Sequence, residues 1–148
     1  MKLKQAILVT LVLFFSSCGL KPISSEYNLI KNFSQSINLQ KLGNGTILIY
    51  NGADILHKID NTANLNIWIN DKALGQLRPS EYVIINLLPG SYNFKVLHKD
   101  LVNMRSEHTL DIDDQTKVIK IKPNVTSNKT TITNELPQNF LKFRNAIK

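Results

Sequence analysis

Cysteine is almost absent from this chain of 148 residues, which carries a single one at position 18. No disulfide can form within the chain, so a domain built from it has to be held together by its apolar core. The chain also lacks a G-x-S-x-G serine elbow and a His-x-x-x-His pair. The sequence therefore indicates neither the serine hydrolases that use such an elbow nor the metal sites that use such a pair.

The single cysteine follows a segment with the features of a secretion signal. Lys2 and Lys4 precede an apolar run, Ala6–Phe15. About 20 apolar residues are needed to cross a bilayer, so this shorter run suits the core of a signal peptide and not a membrane-spanning helix.

The residues Phe15-Ser16-Ser17-Cys18 resemble the lipobox of bacterial lipoprotein precursors, whose usual form is Leu-Ala/Ser-Gly/Ala-Cys. The resemblance implies that a diacylglycerol is attached to the sulfur of Cys18 and that residues 1–17 are removed. Two or three acyl chains would hold the protein permanently at a membrane. Gly19, in place of Asp, favours the outer membrane under the sorting rule of enteric bacteria. An ordinary signal peptide with an incidental cysteine is the alternative.

Basic residues outnumber acidic ones, 18 to 11, and removal of Lys2 and Lys4 with the signal lowers the formal charge from +7 to +5. The remaining basic residues are scattered along the chain, which is typical of a solvated surface. Nucleic-acid binding would need a dense basic stripe with aromatic platforms, and a secreted chain does not meet nucleic acid. We therefore expect no nucleic-acid partner. With Cys18 committed to lipid, no thiol remains for catalysis or metal binding.

From Thr46 to Lys122 the sequence alternates with a period of two, the pattern of half-buried β-strands. The alternation is clearest at residues 64–70, 91–96 and 107–112. Turn residues separate the strands. Among them are Asn70-Asp71, which tolerate positive φ, and Leu88-Pro89-Gly90. About seven short strands at this spacing predict an all-β fold, a small antiparallel β-sandwich.

The strand region also sets the predicted organisation of the chain. We predict a signal peptide at 1–17, a lipidated tether at 18–44, the sandwich at 45–122, and a polar linker with a C-terminal amphipathic helix at 123–148. Apolar residues at three- and four-residue steps from Tyr27 to Ile37 also allow a short helix, or an extended segment packed on the domain, within the tether. Residues 124–134 fit either a linker or a late edge strand.

The C-terminal helix is predicted from a stripe of apolar residues. Leu136, Phe140, Phe143 and Ile147 fall on one face of a helix that Pro137 could begin. Such a helix either packs its stripe on the sandwich or, because it is basic, touches anionic lipid. We expect the first, since core-facing helices routinely carry such stripes.

Residues 67–96 combine the Asn70-Asp71 hairpin with a second turn, Leu88-Pro89-Gly90-Ser91-Tyr92. This pattern resembles that of the DUF2846 lipoproteins and the related PEGA-type β-sandwich modules, although Lys72 stands where the pattern has glycine. The resemblance implies a β-sandwich. PEGA-type modules are regarded as surface interaction or carbohydrate-associated domains, so it also implies a binding role.

No set of residues in the sequence indicates catalysis, and we predict no catalytic residues, no cofactor and no metal site. Three aromatic side chains could face a ligand, namely Trp68, Tyr82 and Tyr92. Trp68 is the most interesting of them because it lies on the more polar face of its strand. Its more ordinary role would be to cover a second layer of the core.

These observations favour a membrane-anchored lipoprotein of the bacterial envelope, facing the periplasm from the outer membrane, that binds a protein or a glycan without catalysis. The alternative is a cell-wall-directed hydrolase or another carbohydrate-active enzyme. It requires His98, His108, Asp100 and Asp111 to converge in a concave pocket. The acidic run at residues 111–114 lacks the glycine and the distal glutamate of an EF-hand and indicates a solvated turn.

Overall fold

The computed structural model describes residues 20–31, 37–53, 63–99 and 102–147. The predicted signal peptide, residues 1–17, and the predicted lipidation site, Cys18, lie outside this part of the chain. Within it the chain forms nine β-strands and two 3-10 helices. The strands are β1 (Thr46–Asn51), β2 (Leu65–Ile69), β3 (Lys72–Leu77), β4 (Glu81–Asn86), β5 (Gly90–Lys99), β6 (Asn103–Ile112), β7 (Val118–Pro123), β8 (Asn128–Ile132) and β9 (Arg144–Asn145), and the 3-10 helices are Leu39–Lys41 and Phe140–Lys142.

The strands form two sheets that share one apolar core. The five-stranded sheet has the order β8-β7-β1-β4-β9, and the four-stranded sheet has the order β3-β2-β5-β6. The all-β sandwich predicted from the sequence is confirmed. None of the helices described is long and apolar enough to cross a membrane.

Two pairings differ from the predicted antiparallel arrangement. In the five-stranded sheet β1 pairs with β7 and β4 pairs with β9, both in parallel. After β1 the chain crosses to the other sheet, forms the β2–β3 hairpin and returns as β4, which is antiparallel to β1. After β4 it crosses again, forms the β5–β6 hairpin and returns as β7, which runs parallel to β1. Alternation along a strand fixes which face is buried but not which strands are neighbours, so the sequence could not reveal these pairings.

The inner faces of the two sheets supply the main core. Ile67 and Ile69 of β2 and Phe94 of β5 are fully buried there, together with Ile47 and Ile49 from the other sheet. Burial of each such side chain stabilises the fold by about 1.5–3 kcal/mol. The alternation predicted for β2 and β5 therefore places the expected residues inside the sandwich.

A second apolar cluster covers the outer face of the five-stranded sheet. Leu48, Tyr50 and Ile84 project to this side, and segments from both ends of the chain pack on them. The covering residues are Ile30, Ile37, Leu39, Leu136, Phe140 and Phe143. Because the sheet is buried on both faces, residues 47–50 form a continuous apolar run without alternation.

The amphipathic helix predicted over residues 136–148 is not formed. Phe140–Lys142 make a single 3-10 turn, and Arg144–Asn145 then continue as β9. Ring contacts favour this path, because Phe143 meets Tyr50 and Phe140 meets Tyr82, with centroids 5.6 and 5.2 Å apart. The aromatic residues of the stripe thus pack on the sandwich, as expected, but without a helix.

Backbone hydrogen bonds at the edge of β4 are a second reason why the C-terminal segment does not form a helix. The Ala146 N–H donates to the Tyr82 carbonyl and the Ile30 N–H donates to the Ile84 carbonyl, each at 2.9 Å. Segments from the two ends of the chain therefore complete the same strand edge. An open edge would expose unpaired backbone groups, which these bonds satisfy.

The sheet continues past the predicted domain boundary at residue 122. β8 pairs antiparallel with β7 at the edge of the five-stranded sheet. Of the two interpretations of residues 124–134, the late edge strand is confirmed.

Residues 20–31, here named the N-terminal strap, lie as an extended segment along the edge of β3. The Glu26 N–H donates to the Ala73 carbonyl at 2.9 Å, and the Glu26 carboxylate accepts the Ala73 N–H at 2.6 Å. The Tyr27 hydroxyl donates to the Ile69 carbonyl at 2.9 Å. The described first part of the predicted tether is thus an extended segment packed on the domain and not a free spacer.

Candidate functional site

The outer face of the four-stranded sheet carries polar and charged side chains around Trp68. Trp68 of β2 lies opposite Lys95 of β5, and Lys95 lies opposite Glu107 of β6. Side chains of directly opposed residues point to the same face, so these three form a row across the sheet. The next row across the same strands consists of Asn66, Leu97 and Arg105.

The β2–β3 hairpin adds a carboxylate to this surface. Asn70 and Asp71 both have positive φ, 48° and 65°, which a two-residue turn compatible with the sheet twist requires. The hairpin predicted at these residues is confirmed. The Asn70 side-chain oxygen accepts the Asn93 N–H at 2.8 Å and so holds the turn beside β5. Asp71 Oδ1 then lies 2.6 Å from Lys95 Nζ.

Lys95 lies between two carboxylates. Its Nζ is 2.6 Å from Asp71 Oδ1 and 3.8 Å from Glu107 Oε1. The hydrogen bond to Asp71, followed by the negative charges of Asp71 and Glu107, raises the pKa of Lys95 above its ordinary value of 10.5. Exposed ion pairs contribute little to stability, so the main effect of this arrangement is to fix the directions of one cation and two carboxylates beside Trp68.

These side chains line a hollow with a volume of about 360 Å³. Its side-chain lining comprises Trp68, Asp71, Lys95, Leu97, Arg105 and Glu107. Trp68 is only partly buried, and within the described part of the chain neither its indole N–H nor the Arg105 guanidinium makes a hydrogen bond. The hollow, which we name the Trp68 hollow, thus presents an aromatic surface, two cations and two carboxylates to an incoming molecule.

The strap lies beside the Trp68 hollow, over Asn66 and Gln76. The Lys21 carbonyl accepts from Asn66 Nδ2 at 2.9 Å, and the Leu20 carbonyl accepts from Gln76 Nε2 at 3.2 Å. Asn66 is only 3% exposed although it lies on the outer face, because the strap covers it. The part of the sheet around Trp68 is left open.

The other two aromatic candidates do not line this hollow. Tyr82 lies on the outer face of the five-stranded sheet against Phe140, and burial raises its pKa above 10.0. Tyr92 packs against the edge of the main core and donates its hydroxyl to the Leu88 carbonyl at 2.9 Å. Of the three predicted ligand-facing residues, only Trp68 is therefore placed in the hollow.

His98 and His108 do approach one partner, but inside the sandwich. His98 Nδ1 lies 2.7 Å from Asn128 Oδ1, and His108 Nε2 lies 2.6 Å from the Asn128 carbonyl oxygen. Asp111 is exposed, and Asp100 lies outside the described residues. The described members of the predicted hydrolase set therefore do not meet in a concave pocket.

The acidic turn at residues 113–116 is organised by hydrogen bonds within the turn. Asp113 Oδ1 accepts from the Gln115 N–H at 3.0 Å and from the Thr116 hydroxyl at 2.8 Å. Among the residues whose positions are described, no three His, Cys, Asp or Glu side chains come close enough to hold a metal ion.

Sequence reasoning identified Trp68 but not its neighbours. Asp71, Lys95 and Arg105 come from different strands and turns, and their proximity depends on the pairing of β2, β5 and β6. The alternation does place Trp68 and Lys95 on the polar face of their strands. That shared property is the one signal in the sequence that pointed to a common surface.

The chain matches no protein-family model, and it has no significant match among curated proteins or among solved structures. The resemblance of residues 67–96 to the DUF2846 and PEGA patterns therefore stays a prediction.

Proposed function

We propose that the protein is a lipid-anchored lipoprotein of the bacterial envelope and that its sandwich is a non-catalytic binding module. The lipobox-like segment ending at Cys18 supports the anchor. The Trp68 hollow supports the binding role, and one observation carries it. A partly exposed indole, with its N–H unbonded in the described part of the chain, stands beside an oriented Lys95 and two carboxylates.

A glycan is the ligand class that this surface suits best, and a polar protein segment is the second. Sugar rings stack on aromatic faces through their C–H groups, while their hydroxyls need donors and acceptors at fixed positions. The volume of about 360 Å³ is at the lower end of the range for small-ligand sites. A short stretch of one or two sugar units would fill it.

A cell-wall hydrolase is the alternative, and the arrangement of the histidines argues against it. Both His98 and His108 contact Asn128 within the sandwich. A general base has to reach the substrate proton directly or through one water molecule. Residues in these positions are better suited to holding the two sheets together.

The anchor is tested by expressing the full chain in a bacterium beside its Cys18→Ala variant. We expect the unchanged protein to fractionate with the outer membrane and the variant to be released into the periplasm. If both proteins are soluble, the lipoprotein assignment is wrong.

The binding role is tested by titrating the purified protein with soluble peptidoglycan fragments and with outer-membrane glycans. Trp68 is the only tryptophan, so its fluorescence reports directly on the hollow. We expect saturable changes in emission with at least one glycan class. Trp68→Phe should weaken binding measured by calorimetry, whereas Val125→Ala, a change at an exposed site in the β7–β8 turn, should not. Equal affinities for both variants would exclude this hollow.

A further inference from the structure

The strap begins near one end of the sandwich, which we name the hairpin end because the β5–β6 and β7–β8 hairpins turn there. Leu20 and Lys21 bond to Gln76 and Asn66, and Asn66 lies opposite Leu97 of β5. The last pair of the β5–β6 hairpin, Lys99 with Asn103, is two residues beyond Leu97. At about 3.4 Å per residue, the start of the strap is therefore about 7 Å from that turn along the strand.

The link between the lipidation site and the folded domain is very short. Cys18 precedes Leu20 by two residues, which span at most about 7 Å in any conformation. The Leu20 carbonyl is already bonded to the sheet. Lipid on Cys18 would therefore hold the hairpin end close to the membrane surface.

Basic residues are concentrated at this end. The strand register brings there Lys21, Arg78, Lys99, Arg105, Lys122, Lys129 and Arg144. Glu81 is the acidic residue described among them. Residues 54–62 and 100–101, which lie outside the described part of the chain, contain three aspartates and one lysine. Their net charge is smaller in magnitude than the basic excess of the described residues at this end.

The opposite end of the sandwich has no such excess of basic residues. Its hairpins and turns carry Asp71, Asp111, Asp113 and Asp114 beside Lys72 and Lys117. The excess of basic residues is thus concentrated at the hairpin end. This concentration results from the register of the strands and is not visible in the order of residues along the chain.

Exposed apolar side chains stand at the two turns of the hairpin end. Val102 in the β5–β6 turn is 58% exposed, and Val125 in the β7–β8 turn is 65% exposed. Apolar tips flanked by Lys and Arg suit the boundary between lipid headgroups and acyl chains, where both kinds of side chain are stabilised.

We propose that the hairpin end is a docking surface for anionic phospholipid headgroups, which orients the domain against the membrane that holds its anchor. The orientation rests on the proposed lipid anchor, whereas the affinity for lipid does not. Each Lys or Arg near an anionic membrane surface strengthens binding about fivefold. Several at one end therefore give appreciable binding without any acyl chain.

The test uses the mature chain, residues 18–148, with Cys18→Ser, which leaves all described contacts in place. It is sedimented with vesicles of phosphatidylcholine, with or without phosphatidylglycerol. We expect binding to the anionic vesicles only, and its loss at high salt. Replacing Lys21, Arg78 and Arg105 together by Gln should weaken the partition at least about tenfold. These three side chains are exposed, so the fold should persist.

The matched control replaces three basic residues that are away from the hairpin end. Lys41→Gln, Lys72→Gln and Lys117→Gln change the net charge equally, and vesicle binding should stay close to that of the unchanged chain. Equal losses in the two triple variants would mean that net charge alone drives binding, which overturns the proposal. Absence of binding to anionic vesicles overturns it as well.

A dye on a single introduced cysteine tests the orientation in the same Cys18→Ser chain. A polarity-sensitive dye at Val102→Cys should shift to shorter emission wavelengths on anionic vesicles, and one at Leu88→Cys, at the opposite end, should not. The reverse result contradicts the proposal. Because this chain carries no lipid, failure here is independent of the Cys18→Ala fractionation. A protein that is anchored but does not bind vesicles keeps the proposed function and loses this inference alone.

Discussion

Asn128 at the start of β8 holds His98 of β5 across the interior of the sandwich, with Oδ1 2.7 Å from Nδ1. Asn128 Nδ2 donates to the carbonyls of Val96 and Met104, each at 3.3 Å, so Oδ1 is the acceptor and His98 Nδ1 carries the proton. One amide therefore joins the edge of the five-stranded sheet to two strands of the other sheet.

Replacing Asn128 by Ala should lower the free energy of unfolding by about 2–4 kcal/mol, because the buried His98 Nδ1–H loses its Asn128 acceptor and the bonds from Asn128 Nδ2 to the Val96 and Met104 carbonyls are lost. Urea unfolding of residues 18–148 with Cys18→Ser measures the loss. Asn124→Ala, at an exposed position in the same hairpin, should change stability by less than about 0.5 kcal/mol. Equal midpoints for the two variants would contradict a structural role for Asn128.

Phe143→Ala should destabilise the protein by about 2–4 kcal/mol, because its ring is packed edge-on against Tyr50 over the outer face of the five-stranded sheet. Leu141, two residues earlier, is 100% exposed, and Leu141→Ala should have almost no effect. Thermal unfolding of the two variants provides the comparison. Phe143 would face the core in an amphipathic helix as well, and Leu141 would not, so these two alanine variants do not test for a helix. Leu141→Pro does test for one, because proline in a helix interior typically costs about 3 kcal/mol. We expect it to cost far less here.

Two substitutions of Asn70, in the β2–β3 hairpin, should destabilise the protein to different extents. Asn70→Ala should reduce stability by about 1–2 kcal/mol, since alanine is strained at a φ of 48° and the bond to the Asn93 N–H is lost. Asn70→Gly loses the same bond, but glycine adopts a positive φ without strain, so the loss of stability should be smaller. Chemical denaturation measures both, and a glycine variant as unstable as the alanine variant would show that backbone strain is unimportant at this turn.

Stability should fall in alkaline solution, above a pH of about 10. Burial raises the pKa of Tyr27, Tyr50 and Tyr82 above 10.0, with additional contributions from Tyr92 and Glu26 for Tyr27 and from Glu135 for Tyr50. In this range the unfolded chain loses phenolic protons that the folded chain retains, so rising pH favours unfolding, and the stabilisation is fully present only below the unfolded pKa.

The measurement is denaturant unfolding as a function of pH. Tyr50→Phe should make the alkaline loss of stability smaller, because phenylalanine has no proton to lose. Lys95 acts in the same direction, since its raised pKa, caused first by the hydrogen bond to Asp71, stabilises the folded state only while its ammonium is protonated. A stability that does not change between neutral pH and a pH of about 11 would contradict the prediction.

Local patterns predicted much of the fold because they depend on neighbouring residues. The Asn70-Asp71 turn and the faces of β2 and β5 follow from side-chain chemistry and a period of two. The pairing of β1 with β7 could not be predicted in this way, because it joins residues far apart in sequence and depends on how many strands the chain contributes to each sheet.

The C-terminal stripe shows why helical periodicity can mislead. Phe140 and Phe143 satisfy the spacing of a helix, but they equally satisfy a short turn that places both rings on one surface. The deciding interactions, ring contacts with β1 and β4 and backbone bonds to the edge of β4, are not encoded in the segment itself. For the same reason the sequence predicts that Trp68 lies on a polar face but does not predict which side chains line the Trp68 hollow.

The two ends of the chain complete one strand edge, and this has a consequence for the order in which the protein can fold. Ile30 and Ala146 each bond to β4, at Ile84 and Tyr82. A polypeptide is synthesised from its N-terminus onwards. Ile30 is therefore made before β4, whereas Ala146 is made after β1 to β8. The edge of β4 cannot be completed until residue 146 has emerged, so it stays incompletely paired until all nine described strands have been made.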